Sequence, residues 1–251
     1  MQLKSLIFLL ALAGCAVVPQ KQGGDVVSVP NTGATTPIAA PTTAEQAASR
    51  EMARVAVQSF VAVVQAVEPV AEQLCRERSP SLNCDFRIVV DENPDVGVNA
   101  YQTLDDSGRP ILAFSIPLIA TVRNRDELAF IMSHEAAHHI RGHLQRQQQN
   151  ATVGAVVFGQ LAGVLGGSNA DAVQAAQEFG AALGARTYSK DFELEADALG
   201  TLIAARSGYD PILGSEFFSR LPDPGNRFLG THPANADRVA IVRQTAADLR
   251  L

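Results

Sequence analysis

Residues 134–143 read His-Glu-Ala-Ala-His-His-Ile-Arg-Gly-His, and the reading of this stretch decides what kind of fold to expect. Four of the chain's five histidines fall in it (His134, His138, His139 and His143), and the fifth, His232, lies far downstream. Positions four apart share one face of a helix, so the His134 and His138 imidazoles can converge on one metal ion. Glu135 stands between them and can reach a water on that ion without taking a coordination site itself. Zinc lowers the pKa of such a water toward neutrality, and a carboxylate so placed takes its proton. The competing reading is a surface helix that happens to carry two histidines. A third ligand and a fitting compartment have to decide between them.

The residues just before the motif supply the helix that this chemistry needs. Asn124 is an N-cap candidate, with Asp126 in the first turn and Glu127 three positions on. Leu128, Ile131, Met132, Ile140 and Leu144 provide its apolar faces. On such a helix His139 points about 100° away from His138, which makes it a surface or supporting group. His143 reads as structural.

Residues 189–200 read Ser-Lys-Asp-Phe-Glu-Leu-Glu-Ala-Asp-Ala-Leu-Gly. Glu193 and Asp197 lie four apart on a second helix. The first can bind the metal, and the second can accept a hydrogen bond from a ligating imidazole and fix its tautomer. Glu195 competes with Glu193 for the ligand role. Two histidines and a glutamate leave a fourth position open, the layout of a catalytic zinc site rather than a structural one.

A His-Glu-x-x-His helix followed by Glu-x-x-Ala-Asp resembles the gluzincin metallopeptidase family forty-eight, which includes the HtpX heat-shock protease, Oma-type proteases and the CAAX prenyl protease. The resemblance makes Glu193 the ligand and leaves Glu195 facing solvent. It extends to Asn99-Ala100-Tyr101 and to Thr231-His232-Pro233 with Arg238 six residues on, and so covers roughly residues 45–250. It implies that His232 lies near the metal, either stabilising the tetrahedral intermediate or closing the fourth position. An ordinary helix-start histidine before Pro233 is the alternative. Arg238 then binds a developing oxyanion or braces Asp197 or another carboxylate. Lys190 departs from the arginine common in relatives, and a glycine-rich insert departs from the family pattern.

The amino terminus sets the compartment. Lys4 precedes a short apolar run, Leu6 to Leu12, and Leu12-Ala13-Gly14-Cys15 resembles a bacterial lipobox. This implies a signal peptide at 1–14, acyl chains on Cys15, and attachment to a membrane without a spanning helix. With Ala16 rather than aspartate after the cysteine, the outer membrane facing the periplasm is the expected address. Residues 15–42 are rich in Pro, Gly, Thr, Val and Ala and read as a flexible tether. The metallopeptidase domain then spans 43–251. In an exported protein the remaining cysteines, Cys75 and Cys84, read as a disulfide.

Within that domain, Thr42 and Thr43 with Glu45 and Gln46 open a helix running to about Arg78, with Pro69 expected to kink it. Residues 86–116 carry β signals: strands at 86–90, 98–104 and 111–115, with a hairpin turn at Asp105–Gly108. An edge of this small sheet can take an extended peptide as an added strand beside the metal. Residues 151–186 are glycine- and alanine-rich and carry no charge from Ala151 to Ala170. They read as a flap, a membrane-touching hairpin, or a small-residue helix packed in the core, with a helix from Asp171 to Ala185. Helices at 211–221 and 234–249 close the chain.

The expected fold is therefore α+β, mostly α: a zincin-like domain with a small sheet beside the metal helix. A net charge of −6 gives no reason to expect nucleic acid as a partner. The expected activity is that of a zinc endopeptidase, one Zn2+ per chain. Unfolded or misassembled envelope proteins are the substrates that the resemblance implies. A non-enzymatic or latent lipoprotein chaperone with a metal-braced site is the alternative, which the intact Glu135 disfavours. A zinc amidase acting on cell-wall peptides is a weaker one.

Overall fold

The first helix starts where its cap is written. The Thr42 hydroxyl accepts from the Glu45 backbone N–H at 3.3 Å, and the Glu45 carboxylate accepts from the Thr42 N–H at 2.6 Å. The computed structural model describes residues 42–166, 169–187, 189–222 and 234–251. The lipobox with Cys15, the tether to Pro41, Tyr188 and Thr231-His232-Pro233 lie outside the described residues.

Helix α1 spans Thr43–Arg78 and continues through Pro69. Only its second half is core: Val63, Val67, Ala71, Leu74 and Cys75 are buried, whereas Met52, Val55 and Val57 are exposed. The Cys75–Cys84 disulfide closes the turn that follows. His139, 7% exposed, lies over the same turn, its Nε2 2.8 Å from the Asn83 carbonyl oxygen and its ring edge-on to Phe86. It is a strut between this loop and the metal-motif helix rather than a surface group.

Three strands follow: β1 (Arg87–Asp91), β2 (Ala100–Leu104) and β3 (Pro110–Ser115). A turn at Asp105–Gly108 joins β2 to β3. Gly108 takes φ +80°, and the Asp105 carboxylate accepts the Ser107 and Arg109 N–H groups. These two strands pair antiparallel, with Tyr101 opposite Ala113. Strand β1 pairs parallel to β3, so the order is β1-β3-β2 and β2 is an edge. Helix α2 (Ile116–Thr121) directly follows β3, and no sequence signal had been read for it. Ser115 caps it, and Pro117, a breaker elsewhere, occupies the first turn, where its missing N–H costs nothing.

Helix α3 (Arg125–Ile140) begins at its expected cap, Asn124, whose side chain accepts the Glu127 N–H at 2.8 Å. It is the core of the domain. Thirteen of its residues are buried, Leu128 to Ala137 without a break. This explains why it shows little amphipathic stripe: a helix covered on every side has no face to leave polar. Helix α1, the sheet, α6 (Ser189–Arg206) and α7 (Pro211–Ser215) surround it. The approach of α6 is close enough that a Cβ at Gly200 would sit 3.1 Å from the His134 backbone nitrogen.

Helices α4 (His143–Gly166) and α5 (Ala170–Thr187) pack against each other as a pair. The glycine-rich segment is therefore helical but does not form part of the core. Val153, Val156 and Val157 are all at least half exposed. The helix anticipated over 211–221 is shorter than its sequence suggested. After Ser215 the chain tightens, and a 3-10 turn over Phe218–Arg220 lets the adjacent Phe217 and Phe218 both bury. Arg220 in that turn forms a bidentate pair with Glu127, 1% exposed, at 2.5 and 2.6 Å. Helix α8 (Asn235–Leu249) packs against α6 and α7.

Candidate metal centre

A buried helix that carries His134 and His138 on one face needs a second element to complete a site, and α6 supplies it. The His134 and His138 Nε2 atoms are 2.9 Å apart. Glu193 Oε2 lies 3.5 Å from His134 Nε2, and Oε1 lies 3.4 Å from His138 Nε2. Two nitrogen or oxygen ligands on a tetrahedral ion, each about 2.0–2.1 Å from it, stand about 3.3–3.4 Å apart. The donor set and its spacing therefore fit a small divalent cation such as zinc.

The surroundings favour positive charge at this point. Burial and the Arg238 charge both work against a protonated His134. Asp197 and Glu193 outweigh them and carry its pKa up to about 9. A cation bound here would meet the carboxylates of Glu193, Asp197 and Glu135 against the single guanidinium of Arg238.

Around the donors the side chains are held in turn. Asp197, 0% exposed, has Oδ1 2.9 Å from His134 Nδ1, so the carboxylate orients that imidazole with its Nε2 toward Glu193. Arg238 fixes the carboxylate by donating from Nε and from one terminal nitrogen, each at 2.7 Å. Of the two roles considered for Arg238, this geometry matches the brace. The guanidinium is also stacked on Phe218, 3.7 Å from the ring centroid. His232 lies outside the described residues.

On the other side, His143 Nδ1 is 2.8 Å from His138 Nδ1. Its ring stacks on Phe192 with 7° between the planes. Burial, with the charge of His138 next, pushes the His143 pKa down to about 4, so the ring is neutral and can accept from His138. Its Nε2 faces Glu195 Oε2 at 3.4 Å. Glu195 stays outside the donor group and keeps 35% of its side chain exposed. It forms a bidentate pair with Arg146 at 2.8 and 3.2 Å, and that pair lowers its pKa first among several causes.

The sequence reading missed Phe192, Phe218 and Arg146. The spacing His143-x-x-Arg146, one helical turn, placed two polar side chains on a common face and was the available signal for Arg146. Phe218 had none.

These groups open into a cleft of about 460 Å3. Glu135 lines it beside the donors. Val98 to Gln102, including the start of the edge strand β2, form one wall, and Leu118, Ile131, Phe217 and Leu221 make an apolar stretch.

Comparison with known proteins agrees with this geometry. The model of peptidase family M48 matches residues 58–246. A putative beta-barrel assembly-enhancing protease of Vibrio cholerae serotype O1 is 30% identical over 141 residues, 51% of this chain and 29% of that protein. The beta-barrel assembly-enhancing protease of Escherichia coli O157:H7 is 31% identical over 141 residues, 51% of this chain and 28% of its own length. The chain thus spans under a third of the length of these curated relatives.

Proposed function

The chain belongs to peptidase family M48, and on that premise we propose that it is a zinc-dependent endopeptidase of the bacterial envelope. The observation that carries the reading is the convergence of His134, His138 and Glu193 beside Glu135 at the floor of an open cleft. His134, His138 and Glu193 would hold the ion. Bound there, zinc supplies a Lewis acid that polarises a peptide carbonyl and makes water easier to deprotonate.

The protein's own residues do the rest. Glu135 takes the proton of the attacking water on its carboxylate and returns it to the departing amine. Asp197, gripped by Arg238, holds His134 in one tautomer, and His143 does the same for His138. The outer edge of β2 offers unpaired backbone groups to an extended substrate, which would lie along the cleft as an added strand. The apolar stretch around Leu118, Ile131 and Phe217 favours an apolar substrate side chain near the cleavage point.

The names of the relatives support a substrate class of envelope proteins caught in assembly. The lipobox supports a domain at 43–251 carried on a tether from lipid at Cys15 on the periplasmic side of the outer membrane. No feature of the cleft supports the chaperone reading over this one.

The deciding experiment is degradation of an unfolded model protein by wild type and by Glu135→Gln, with zinc content measured for both. Cleavage by wild type and none by zinc-loaded Glu135→Gln is the expected result. A wild-type protein that binds no zinc, or a Glu135→Gln variant that cleaves normally, would refute the proposal.

A further inference from the structure

The α4–α5 hairpin is built inside out for a body surrounded by water. Its seam is made of the smallest residues. A Cβ at Gly154 would meet the Gly180 carbonyl oxygen at 2.0 Å, and one at Gly184 would meet the Asn150 carbonyl oxygen at 2.1 Å, so the two backbones touch. Phe158 and Phe179 meet edge-on across the seam, but the valines of α4 and Leu161 point away from it. Val153, Val156, Val157, Leu161 and Val164 recur at helical spacing along one face of α4 and are 50–82% exposed. A water-soluble helix pair would place its valines and leucines between the helices. Small residues in the seam with branched apolar residues outside is the order favoured where the surrounding solvent is hydrocarbon.

Charge points the same way. No Asp, Glu, Lys or Arg occurs from Ala151 to Ala170, whereas α5 carries Asp171 and Glu178 in exposed positions. The hairpin therefore has an uncharged side, with the exposed Gln160 among its apolar residues, and a charged side on α5, which also carries the exposed Phe179. The uncharged helical run Ala151–Gly166 is about 24 Å long at 1.5 Å per residue. That falls short of the roughly 30 Å of a bilayer core, so the face suits lying in one leaflet rather than crossing both. The proposed anchor at Cys15 would bring a lipid surface within reach. Lipid on Cys15 would be separated from Thr42 by 27 residues, a reach of at most about 90–97 Å.

We propose that the Val153–Val156–Val157–Leu161–Val164 face of α4 rests in the acyl boundary of a membrane, with α5 on the water side. Because α4 begins at His143, against His138, and α5 leads into the helix of Glu193, this contact holds the cleft close to the lipid surface. The contact is apolar, so it is insensitive to salt and does not require anionic lipid. It draws on the proposed anchor for proximity but not on the peptidase reading.

The test uses the mature protein in phosphatidylcholine vesicles. Val157→Cys, Val164→Cys and, as the α5 control, Gln174→Cys each carry one environment-sensitive fluorophore, while Cys75 and Cys84 stay oxidised. Brominated acyl chains are expected to quench the labels at 157 and 164 at least fivefold more than the label at 174, equally at low and high salt. Adding Leu161→Asp should abolish the difference at 164 while the thermal unfolding midpoint holds. Equal, weak quenching at all three positions overturns the proposal. So does a label at 157 that is shielded without bromolipid quenching and shows concentration-dependent energy transfer, which would mean a second copy covers the face. The readout requires no cleavage, and mass analysis of the N-terminal peptide reports separately whether Cys15 is acylated. Either reading can therefore fail without the other.

Discussion

Replacing His143 with alanine tests whether the metal centre is held from behind. His143 lines the cleft but is not one of the three proposed donors, and its Nδ1 stands 2.8 Å from His138 Nδ1. For His138 to coordinate through Nε2, its Nδ1 must carry the proton and needs an acceptor. Neutral His143 provides one, backed by Glu195 and by the Phe192 ring stacked on it. His143→Ala leaves that N–H unmatched and the His138 ring free to swing. Losing such an outer partner ordinarily costs 10–100-fold in metal affinity, about 1.4–2.7 kcal/mol. Glu195→Gln keeps an oxygen acceptor at the far end of the chain and should cost several-fold less. Competition against a chromophoric zinc chelator measures both, with thermal unfolding of the metal-free proteins as the control for folding. A folded His143→Ala that binds zinc within about twofold of wild type would refute the orienting role.

Three further substitutions have outcomes fixed by burial and pairing. Arg238→Met removes the guanidinium from the fully buried Asp197 and leaves the His134 ring as the carboxylate's remaining partner of those described. It should lower stability by about 3–5 kcal/mol in urea unfolding, and zinc affinity should fall with it. Arg220→Ala strands Glu127 in the same way and should cost a similar amount, whereas Arg220→Met with Glu127→Leu should recover most of it. Cys75→Ser with Cys84→Ser opens a covalent ring closed across a separation of 9 residues. Unfolding should then show a loss of about 2.7 kcal/mol by loop entropy, with His139 still buried over the turn.

What could be read in the sequence was what is local or periodic. The Thr42–Glu45 capping box, the Asn124 cap, the disulfide and the turn at Asp105–Gly108 all involve residues a few positions apart, and each appears where its signal stood. The metal motif belongs to the same class, since His134, Glu135 and His138 are ordered by one helical turn. The same spacing relates Glu193 to Asp197, but the choice of Glu193 over Glu195 rests on the family resemblance. What escaped was contact across long separations. The parallel pairing of β1 with β3 leaves no mark on either strand. Neither does the stacking of Arg238 on Phe218, whereas the grip of Arg238 on Asp197, 41 residues away, is one of the two roles the resemblance offers. The pairing of Glu195 went unread because its partners, Arg146 and His143, sit on a helix 49 and 52 residues earlier. Helix α2 is a different failure. Its cap, Ser115, and its first-turn proline, Pro117, are local signals at the end of a strand, and they went unread.

The long interval between the second histidine and the glutamate raises a physical question. The two proposed ligands on α3 and the one on α6 must be held to within tenths of an ångström, with 54 residues between His138 and Glu193. The entropy of closing a flexible loop rises only with the logarithm of its length, so the interval itself is not prohibitive. Precision comes from contacts that bypass it. Gly200 lets the α6 backbone come up against that of His134, and Asp197 ties α6 to the His134 ring. Arg238 then brings α8 in behind both. The α4–α5 pair is packed chiefly on itself through its own glycines; its first turns bring His143, Leu144 and Gln147 to the cleft and Arg146 to Glu195. The site thus draws its rigidity from α3, α6 and α8. The interposed hairpin is left free to expose an apolar face that a purely aqueous role would have buried.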